Sequence, residues 1–529
     1  MLRKIERSDR RAIACVAPIF ILRQNCYKFQ FLAQNIYIAR QKLFLYRILA
    51  QNEFIMLIGR KRELEKLEKL MQSPKSEFLA VYGRRRVGKT FLVREYFNNH
   101  FDFYATGLAK GNTSQQLANF TIFLNNHFEE QHVAPTNWLQ AFNLLIHALQ
   151  KQQTGNKQVV FIDEMPWFDT RKSDFMMGLE FFWNSWASAQ KNVLLIVCGS
   201  AASWMINNLI RNTGGLYNRV TERIKLEPFT LQETETFFAR KNIVLNRYQI
   251  IQLYMVMGGI PYYLEQVEAG RSAMQNIEEL CFRNDGKLRT EFVYIFSSLF
   301  KNGERHESVL KAIFENGGSI TREELIKNSV FTSGGNISKV LNELEESGFL
   351  TSFQRFGLKK AHLVFCLSDF YTLFYFRFIQ HSGKYEPNMW LNEVDSPTYR
   401  AWSGLAFEQV CFAHIPQIKK ALGIAGVSSN TYSWQVKGDA NKKGCQVDLV
   451  IDRRDQVINL FEIKFSINQF TISKEYDAVL RNKIQAFRET TRTKKSIFLT
   501  MLTTHGLKDN EYRYSTVQNE LNMDVLFES

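Results

Sequence analysis

The stretch GRRRVGKT, from Gly83 to Thr90, has the residue types and spacing of a loop that binds phosphate. Gly83 and Gly88 allow the backbone to curl so that amide N–H groups point at phosphate oxygens. Lys89 supplies a positive charge for the terminal phosphates, and the Thr90 hydroxyl is a ligand for Mg²⁺. The loop as a whole is therefore a candidate binding site, and it also contains Arg84, Arg85, Arg86 and Val87.

Two acidic residues end a second apolar stretch, KQVVFIDE (157–164). Asp163 stands where an acid that holds Mg²⁺ through water is expected. Glu164 suits a base that orients the attacking water. Ser200 ends a third apolar stretch, NVLLIVCGS (192–200), and either senses the terminal phosphate or is an ordinary turn serine.

The elements that must position these residues alternate between strands and helices. FLAVYG (78–83) is a short apolar run that enters the glycine loop, and TFLVREYF (90–97) reads as the helix that follows it. Apolar runs that alternate with helical stretches predict a parallel α/β sheet covered on both faces. This is the context that a phosphate-binding loop requires, and it disfavours a simple glycine-rich turn.

A series of motifs then resembles a known family. In chain order they are YGRRRVGKT, FIDEMPW, CGSAASWM, LYNRVTERIKLEPF and MGGIPYYLE. The series resembles the archaeal-type ATPases of the AAA-related STAND group, over roughly residues 56–529. The resemblance implies an ATP or GTP switch with Mg²⁺, a parallel-sheet P-loop domain and a helical lid.

The same resemblance implies roles for residues outside the loop. IGRKREL (58–64) would lie near the purine base of the nucleotide. Gly259 and Pro261 would lie in the lid, also near the nucleotide. Arg219 of LYNR would face the phosphates, within its own chain or on a neighbour, so oligomerisation stays open. Asn218 stands where the family pattern has glycine, which puts the local turn in doubt.

Residues 231–300 read as mostly helical, with a break at GGIP (258–261), and residues 305–367 follow a winged-helix pattern. Thr321 and Glu324 form a capping box for the second helix, and GG at 334–335 is the predicted turn. The third helix, ISKVLNELEESG, sets Lys339 against three glutamates, whereas DNA phosphates require cations. Only the β-wing (349–367) is basic, with Arg355, Lys359 and Lys360. Direct DNA contact and a structural module that moves with the nucleotide remain alternatives.

An aromatic stretch, SDFYTLFYFRFIQ (368–380), leads to the last part of the chain. Phe370, Leu373, Phe374 and Phe378 follow helical spacing, which predicts a packed helix and not a stacking platform.

The stretch GCQVDLVIDRRDQVINLFEIKFS (444–466) holds the second candidate site. Alternation predicts two strands joined by a hairpin loop around RRDQ. If Asp455 is the centre of the loop, Asp448 and Glu462 lie opposite each other, with Cβ atoms ~5 Å apart. A shared Mg²⁺ would relieve their repulsion, and Lys464 on the same face would activate or orient water.

This arrangement resembles the PD-(D/E)xK nuclease fold in the version D-x13-ExK. The resemblance implies Glu408, on a preceding helix, as an extra acid, although an exposed glutamate is the alternative. Related domains keep this fold after losing activity, so whether this domain cleaves nucleic acid stays open. The nearby basic residues either track a nucleic-acid backbone or form a solvated face: Lys437, Lys442, Lys443, Lys474, Arg481 and Lys483.

The predicted architecture is multidomain α/β. The segments are an N-terminal extension (1–55), a P-loop ATPase domain (56–230), a helical lid (231–303), a winged helix (304–368), an aromatic helical linker (369–395) and a restriction-endonuclease-like domain (396–529). The predicted function is an ATP-hydrolysing switch coupled to a nuclease-like domain that acts on DNA or RNA. The alternative is a nucleotide-gated signalling protein whose nuclease-like domain is inactive and binds a protein partner.

The amino-acid composition is compatible with both predicted functions and does not decide between them. The 529 residues are 45% apolar and carry a net charge of +15, which permits nucleic-acid binding but does not specify it. Seven scattered cysteines without metal-ligand spacing favour a reducing, cytoplasmic compartment. No apolar run reaches the length of a membrane span.

Residues 1–55 are expected to be an upstream extension or the result of a misassigned start. They mimic a signal peptide, MLRKIERSDRR before AIACVAPIFIL, but lack a clear cleavage site. MLIGRKREL from Met56 looks like a natural domain start. A chain that begins at Met56 is therefore expected to unfold thermally at the same temperature as the full chain, and loss of folding would contradict the idea.

Overall fold

The computed structural model describes residues 57–152, 155–300, 303–328, 334–357, 363–394, 396–436 and 444–528. The expected extension, residues 1–55, lies outside the described residues. Three β-sheets organise the compact unit Gly59–Ser529. None of the helices in the described ranges is long and apolar enough to cross a membrane.

The first sheet has five parallel strands in the order β2-β3-β4-β1-β5. They are β1 (Glu77–Tyr82), β2 (Phe103–Thr106), β3 (Gln158–Asp163), β4 (Val193–Gly199) and β5 (Glu222–Lys225). The central strands are buried on both faces, as their continuous apolar runs predict. The predicted parallel α/β sheet is confirmed.

Helices cover this sheet and hold an aromatic core. They are α1 (Lys61–Gln72), α2 (Lys89–Tyr96), α3 (Thr113–Phe128), α4 (Trp138–Lys151), α5 (Met165–Phe168), α6 (Phe175–Phe181) and α7 (Ala202–Trp204). Trp138 and Phe175 pack edge to face with ring centroids 4.8 Å apart. Many of the chain's 44 phenylalanines serve this kind of packing.

A helical region follows, with α8 (Leu231–Arg240), α9 (Arg247–Met257), α10 (Pro261–Leu264), α11 (Ala273–Ile277) and α12 (Glu291–Leu299). The predicted break lies between α9 and α10, where Gly258 and Gly259 have φ values of 64° and 66°. A Cβ on Gly259 would lie 2.2 Å from the Phe229 carbonyl oxygen. Glycine is therefore required where the chain turns.

Three helices and a small antiparallel sheet come next. The helices are α13 (Gly303–Glu315), α14 (Arg322–Asn328) and α15 (Gly334–Glu346), and the strands are β6 (Ser319–Thr321), β7 (Leu350–Gln354) and β8 (Leu363–Leu367) in the order β6-β8-β7. The capping box of Thr321 and Glu324 is confirmed by reciprocal bonds of 2.9 and 3.2 Å. The predicted turn at 334–335 is wrong, because α15 already begins at Gly334. Glycine occurs at helix starts as well as in turns, so the pair by itself does not distinguish the two.

The aromatic stretch forms α16 (Phe370–Phe374), which continues as a π-helix over Tyr375–Ile379. All four residues predicted to pack are buried. Phe374 and Phe378 both lie against Trp390 and Trp402. The prediction of a packed helix is confirmed.

The last region is a mixed sheet in the order β13-β12-β11-β10-β9, flanked by helices. Its strands are β9 (Ser429–Val436), β10 (Cys445–Arg453), β11 (Val457–Lys464), β12 (Ser496–Thr503) and β13 (Asn519–Asn522). Its helices are α17 (Pro397–Ala413), α18 (Ile415–Ala421), α19 (Lys474–Thr491) and α20 (Glu511–Thr516). Strands β9, β10 and β11 pair antiparallel, and β11, β12 and β13 pair parallel.

Candidate functional site

The phosphate loop joins the end of β1 to the start of α2. Gly83 has a φ of 142°, and a Cβ there would lie 2.4 Å from the Leu226 carbonyl oxygen. Gly88 has a φ of 91° and is the N-cap residue of α2. Both positions need glycine, and they turn the loop so that it ends at a helix N-terminus, where anions bind.

The Lys89 side chain lies back across this loop. Its Nζ donates to the carbonyl oxygens of Gly83 (3.1 Å) and Arg84 (2.8 Å). Burial lowers the pKa of Lys89, which is only 4% exposed. A buried ammonium close to two carbonyl oxygens is well placed to bind the terminal phosphates of a nucleotide.

Thr90 and Asp163 meet next to this lysine. The Thr90 hydroxyl donates to the Asp163 carboxylate at 2.9 and 3.1 Å. Burial, followed by the charge of Glu164, raises the pKa of Asp163. A hydroxyl and a carboxylate are oxygen ligands of the kind that Mg²⁺ prefers, so these two residues fit the predicted magnesium position. Sequence reasoning missed Cys198, a buried residue of β4 that lies against Asp163.

Glu164 is held by the next strand of the sheet. The Ser200 hydroxyl donates to Glu164 Oε1 at 2.6 Å, and the Ser200 N–H donates to Oε2 at 3.1 Å. Glu164 itself has a φ of 44°, in the left-handed region. Ser200 is thus more than an ordinary turn residue, because it orients the predicted base; its role as a phosphate sensor stays a prediction.

The loop arginines are engaged by residues far along the chain. Arg84 forms a buried ion pair with Asp369. Arg86 Nε lies 2.7 Å from Glu291, and its guanidinium stacks over the Tyr262 ring at 3.9 Å. Sequence reasoning missed all three partners. The available signal was the loop itself, since consecutive arginines beside a buried lysine require counter-charges.

The part of the chain that holds this site has a counterpart among known families. Residues 57–267 match an ATPase domain predominantly from Archaea. The resemblance noted from the motifs is therefore confirmed for this domain. An ATPase domain binds a nucleotide, and the side chains around Lys89, Thr90 and Asp163 fit that role.

Sequence similarity to one relative extends beyond the ATPase domain. The chain is 23% identical over 470 residues to an uncharacterised protein of Methanocaldococcus jannaschii, and the alignment covers 88% of this chain and 96% of that protein. It is similar to the Walker-type ATPase PABY2304 of Pyrococcus abyssi, with 17% identity, coverage of 61% of this chain and 96% of that chain, and a TM-score of 0.44. It is also similar to a STAND protein with a tetratricopeptide repeat sensor from Pyrococcus horikoshii, with 15% identity, coverage of 70% and 48%, and a TM-score of 0.29.

Other residues predicted for the ATPase domain take varied positions. Arg219 is exposed and forms no ion pair with any residue in the described part of the chain, so its phosphate-facing role stays a prediction. Asn218 adopts a φ of 53°, which asparagine tolerates better than most residues, so the turn survives without the glycine. Pro261 starts α10, beside the Tyr262 that stacks on Arg86. Arg60 donates to the Val87 carbonyl oxygen of the loop at 3.2 Å.

The third helix of the predicted winged helix, α15, packs against the ATPase domain. The Ser203 hydroxyl donates to the Glu343 carbonyl oxygen at 3.3 Å, and Arg211 lies 3.4 Å from Glu346. On the wing, Phe356 packs against Phe487 of α19 at 5.1 Å. Lys359 and Lys360 lie outside the described residues, so the basic wing is not described in full.

The hairpin of β10 and β11 has the predicted register. Leu449 pairs with Phe461, and the same register sets Asp448 opposite Glu462. A loop of three residues, 454–456, makes this register, and its last residue, Gln456, has a φ of 67°. The predicted centring of the loop is confirmed.

Glu462 is enclosed by cations and a phenol. Its Oε1 lies 2.9 Å from Lys464 Nζ and accepts a hydrogen bond from Tyr476, and its Oε2 lies 2.6 Å from Lys483 Nζ. Burial opposes the charge of Glu462, but Lys464 and Lys483 outweigh it and lower the pKa. Sequence reasoning named Lys483 only as a basic residue and missed Tyr476, because α19 comes after the motif.

The pKa values of the other two acids in this cluster, Asp448 and Glu408, are raised, whereas that of Glu462 is lowered. Burial, and then the charge of Glu462, raises the pKa of Asp448 to about 6. Burial, and then Asp448, raises the pKa of Glu408 well above its usual range. Glu408 is half-buried near Asp448, so the alternative of an exposed helix glutamate is wrong.

The arrangement of this cluster does not match a prepared metal site. Both Glu462 oxygens are already engaged, and one Asp448 oxygen accepts the Ile463 N–H at 3.1 Å. In the described ranges no three His, Cys, Asp or Glu side chains come together as metal ligands. An Mg²⁺ between Asp448 and Glu462 would have to displace Lys464 or Lys483 from the Glu462 carboxylate, and this metal site stays a prediction.

The basic residues around the cluster fall into three groups. Lys483 turns into the cluster, and Arg481 pairs with Asp477 at 2.8 Å. Lys474 is exposed at the start of α19. Lys437, Lys442 and Lys443 lie outside the described residues.

Proposed function

We propose that the chain is an ATP-binding and ATP-hydrolysing switch whose nucleotide state is passed to a C-terminal nuclease-like domain that acts on DNA or RNA. The observation that carries this proposal is the convergence of Lys89, Thr90, Asp163, Glu164 and Ser200 at one edge of the parallel sheet. Ligands of open parallel sheets bind at this edge, beyond the carboxyl ends of the strands.

Each of these side chains has a proposed task in hydrolysis. Lys89 binds the terminal phosphates, and Glu164 takes up a proton from the attacking water while Ser200 holds its carboxylate. Mg²⁺ bound with ATP would be held by Thr90 and Asp163 and would neutralise phosphate charge. Arg219 is exposed, and we propose that it acts on a neighbouring chain in an oligomer.

The proposed lid (231–303) contacts the loop directly. Glu291 and Tyr262, both in the lid, engage Arg86 of the phosphate loop. A nucleotide that changes the loop therefore changes the contacts of the lid. ATP can drive a conformational switch only through different affinities for two states, and this contact supplies a place where the states can differ.

The proposed winged helix (304–368) passes this change onward. Its third helix contacts the ATPase domain, and Phe356 on its wing packs in the core of the last region. The third helix, which a winged helix places in the major groove of DNA, thus contacts the ATPase domain of the same chain. These contacts support the structural-module reading over direct DNA contact.

The proposed nuclease-like domain (396–529) rests on its hairpin. Asp448, Glu462 and Lys464 occupy the D…ExK positions, and Glu408 stands near them on α17. We propose that these residues cleave a nucleic acid.

Cleavage is expected to require Asp448. The full chain is incubated with single- and double-stranded DNA and RNA plus Mg²⁺ or Mn²⁺, with and without ATP. Asp448→Asn is expected to lower the cleavage rate by about 10²-fold or more, because it removes one of the two opposed carboxylates. Asp455→Asn, the same change at the exposed turn of the same hairpin, is the control and is expected to keep full activity.

A second candidate function is a nucleotide-gated signalling protein with an inactive nuclease-like domain. It is favoured by one observation, the engagement of both Glu462 oxygens by Lys464, Lys483 and Tyr476. No cleavage by the wild-type protein under any of these conditions would support it. ATPase stimulation by DNA would favour the first function, whereas stimulation only by a protein partner would favour the second.

A further inference from the structure

One carboxylate outside the ATPase domain contacts both the phosphate loop and the aromatic helix. Asp369 comes 285 residues after Arg84, yet their side chains form an ion pair and are only 1% and 7% exposed. Asp369 directly follows the predicted winged helix (304–368) and directly precedes α16.

The two oxygens of Asp369 have separate partners. Oδ1 pairs with Arg84, whereas Oδ2 accepts the Thr372 N–H at 3.0 Å and also the Thr372 hydroxyl. Asp369 is thus the N-cap residue of α16. The same carboxylate holds the helix by one oxygen and the loop by the other.

Arg84 in turn reaches the centre of the phosphate site. Its carbonyl oxygen accepts the Lys89 ammonium at 2.8 Å. Its guanidinium carbon lies 5.0 Å from the centroid of the Phe349 ring. Burial by itself lowers the pKa of Arg84, but Asp369 and Tyr263 outweigh it and raise the pKa. Without Asp369, a buried guanidinium would lack its counter-charge, and the loop would rearrange.

We propose that Asp369 is a positioning residue for ATP binding. It fixes Arg84, and through the Arg84 carbonyl it fixes Lys89, so that the loop is formed before the nucleotide arrives. A preformed loop avoids the cost of ordering on binding, which is a gain in affinity. This inference rests on the proposed ATPase function and names the residue that ties the nucleotide to the aromatic helix.

The test uses Asp369→Asn in the full chain. Asparagine is as good an N-cap residue as aspartate, so α16 keeps its cap while Arg84 loses its counter-charge. The KM for ATP and the Kd of a fluorescent ATP analogue are expected to rise about tenfold, with kcat changed less than about threefold, the pattern of lost uniform binding. Asp369→Glu keeps the charge and is expected to recover part of the affinity.

A matched control separates this effect from general loss of an ion pair. Asp524 pairs with Arg247 at 2.9 Å on an exposed surface, so Asp524→Asn is expected to leave ATP binding unchanged. A double-mutant cycle with Arg84→Met gives an independent readout. If Asp369 acts through Arg84, the double variant binds ATP about as weakly as Arg84→Met alone.

Two results would overturn the inference. One is ATP affinity in Asp369→Asn within twofold of the wild type. The other is a double variant whose loss equals the product of the two single losses, which would mean that the residues act independently. Failure of the wild-type protein to bind ATP would contradict the proposed function itself, and it is recognised before any variant is measured.

Discussion

Replacing Glu164 with glutamine is expected to leave ATP bound and to slow its hydrolysis by about 10²- to 10⁴-fold, the usual contribution of a general base. The amide is nearly the same size as the carboxylate but cannot take a proton from water. Ser200 can adapt to it, because its backbone N–H keeps the amide oxygen as acceptor and its hydroxyl can rotate to accept from the amide nitrogen. The fold should therefore be undisturbed, and the measurement is single-turnover ATP hydrolysis alongside ATP binding.

The control for this prediction is Glu65→Gln, which makes the same change at an exposed position of α1. It is expected to match the wild type in both measurements. Turnover at the wild-type rate in Glu164→Gln would assign the base to another residue. Loss of ATP binding in the same variant would instead place Glu164 among the residues that hold the nucleotide.

Lys89→Ala is expected to weaken ATP binding by about 10²-fold, because hydrogen bonds to charged groups contribute about 1.5–3 kcal/mol each and 1.4 kcal/mol is tenfold in affinity. The change also takes a donor from the Gly83 and Arg84 carbonyl oxygens. Isothermal titration with ATP and Mg²⁺ measures the effect. Thermal unfolding without nucleotide shows whether the variant is still folded.

Lys69→Ala removes the same charge from an exposed site on α1 and serves as the control. Its ATP affinity is expected to be unchanged. If Lys89→Ala binds ATP as tightly as Lys69→Ala does, the phosphates are held elsewhere and the assignment of the loop is wrong. Lys89→Arg keeps the charge but changes its geometry, and an intermediate affinity is expected for it.

Much of the fold follows from local patterns in the sequence. The buried strands around Gly83 and Asp163 are continuous apolar runs, and such runs predict a covered parallel sheet. The hairpin register followed from strand alternation and a centred loop, since a slip of one residue would turn every side chain over. The error at 334–335 has a local cause too, because a glycine pair signals a turn and a tolerant helix start equally well.

The candidate sites were predictable only in part, for a physical reason. Lys89, Thr90 and Asp163 lie in motifs whose spacing reflects backbone geometry. In both candidate sites, the charged partners of the motif residues come from distant segments of the chain. Asp369 and Lys483 contact their sites through tertiary packing, which leaves no periodic signal in the chain. A surplus of like charge in a motif indicates that such partners exist, but not which residues they are.

Phe356 has a consequence for how this chain can be divided. It belongs to the wing, yet its ring packs with Tyr432 and Phe487 and completes the apolar core of the last region. That core is thus built from both sides of the sequence boundary at residue 396. A fragment that starts at this boundary would leave an aromatic pocket open to water, which favours self-association. The C-terminal part can therefore not be exchanged as an independent domain. A recombination event between relatives would have to transfer the wing together with it.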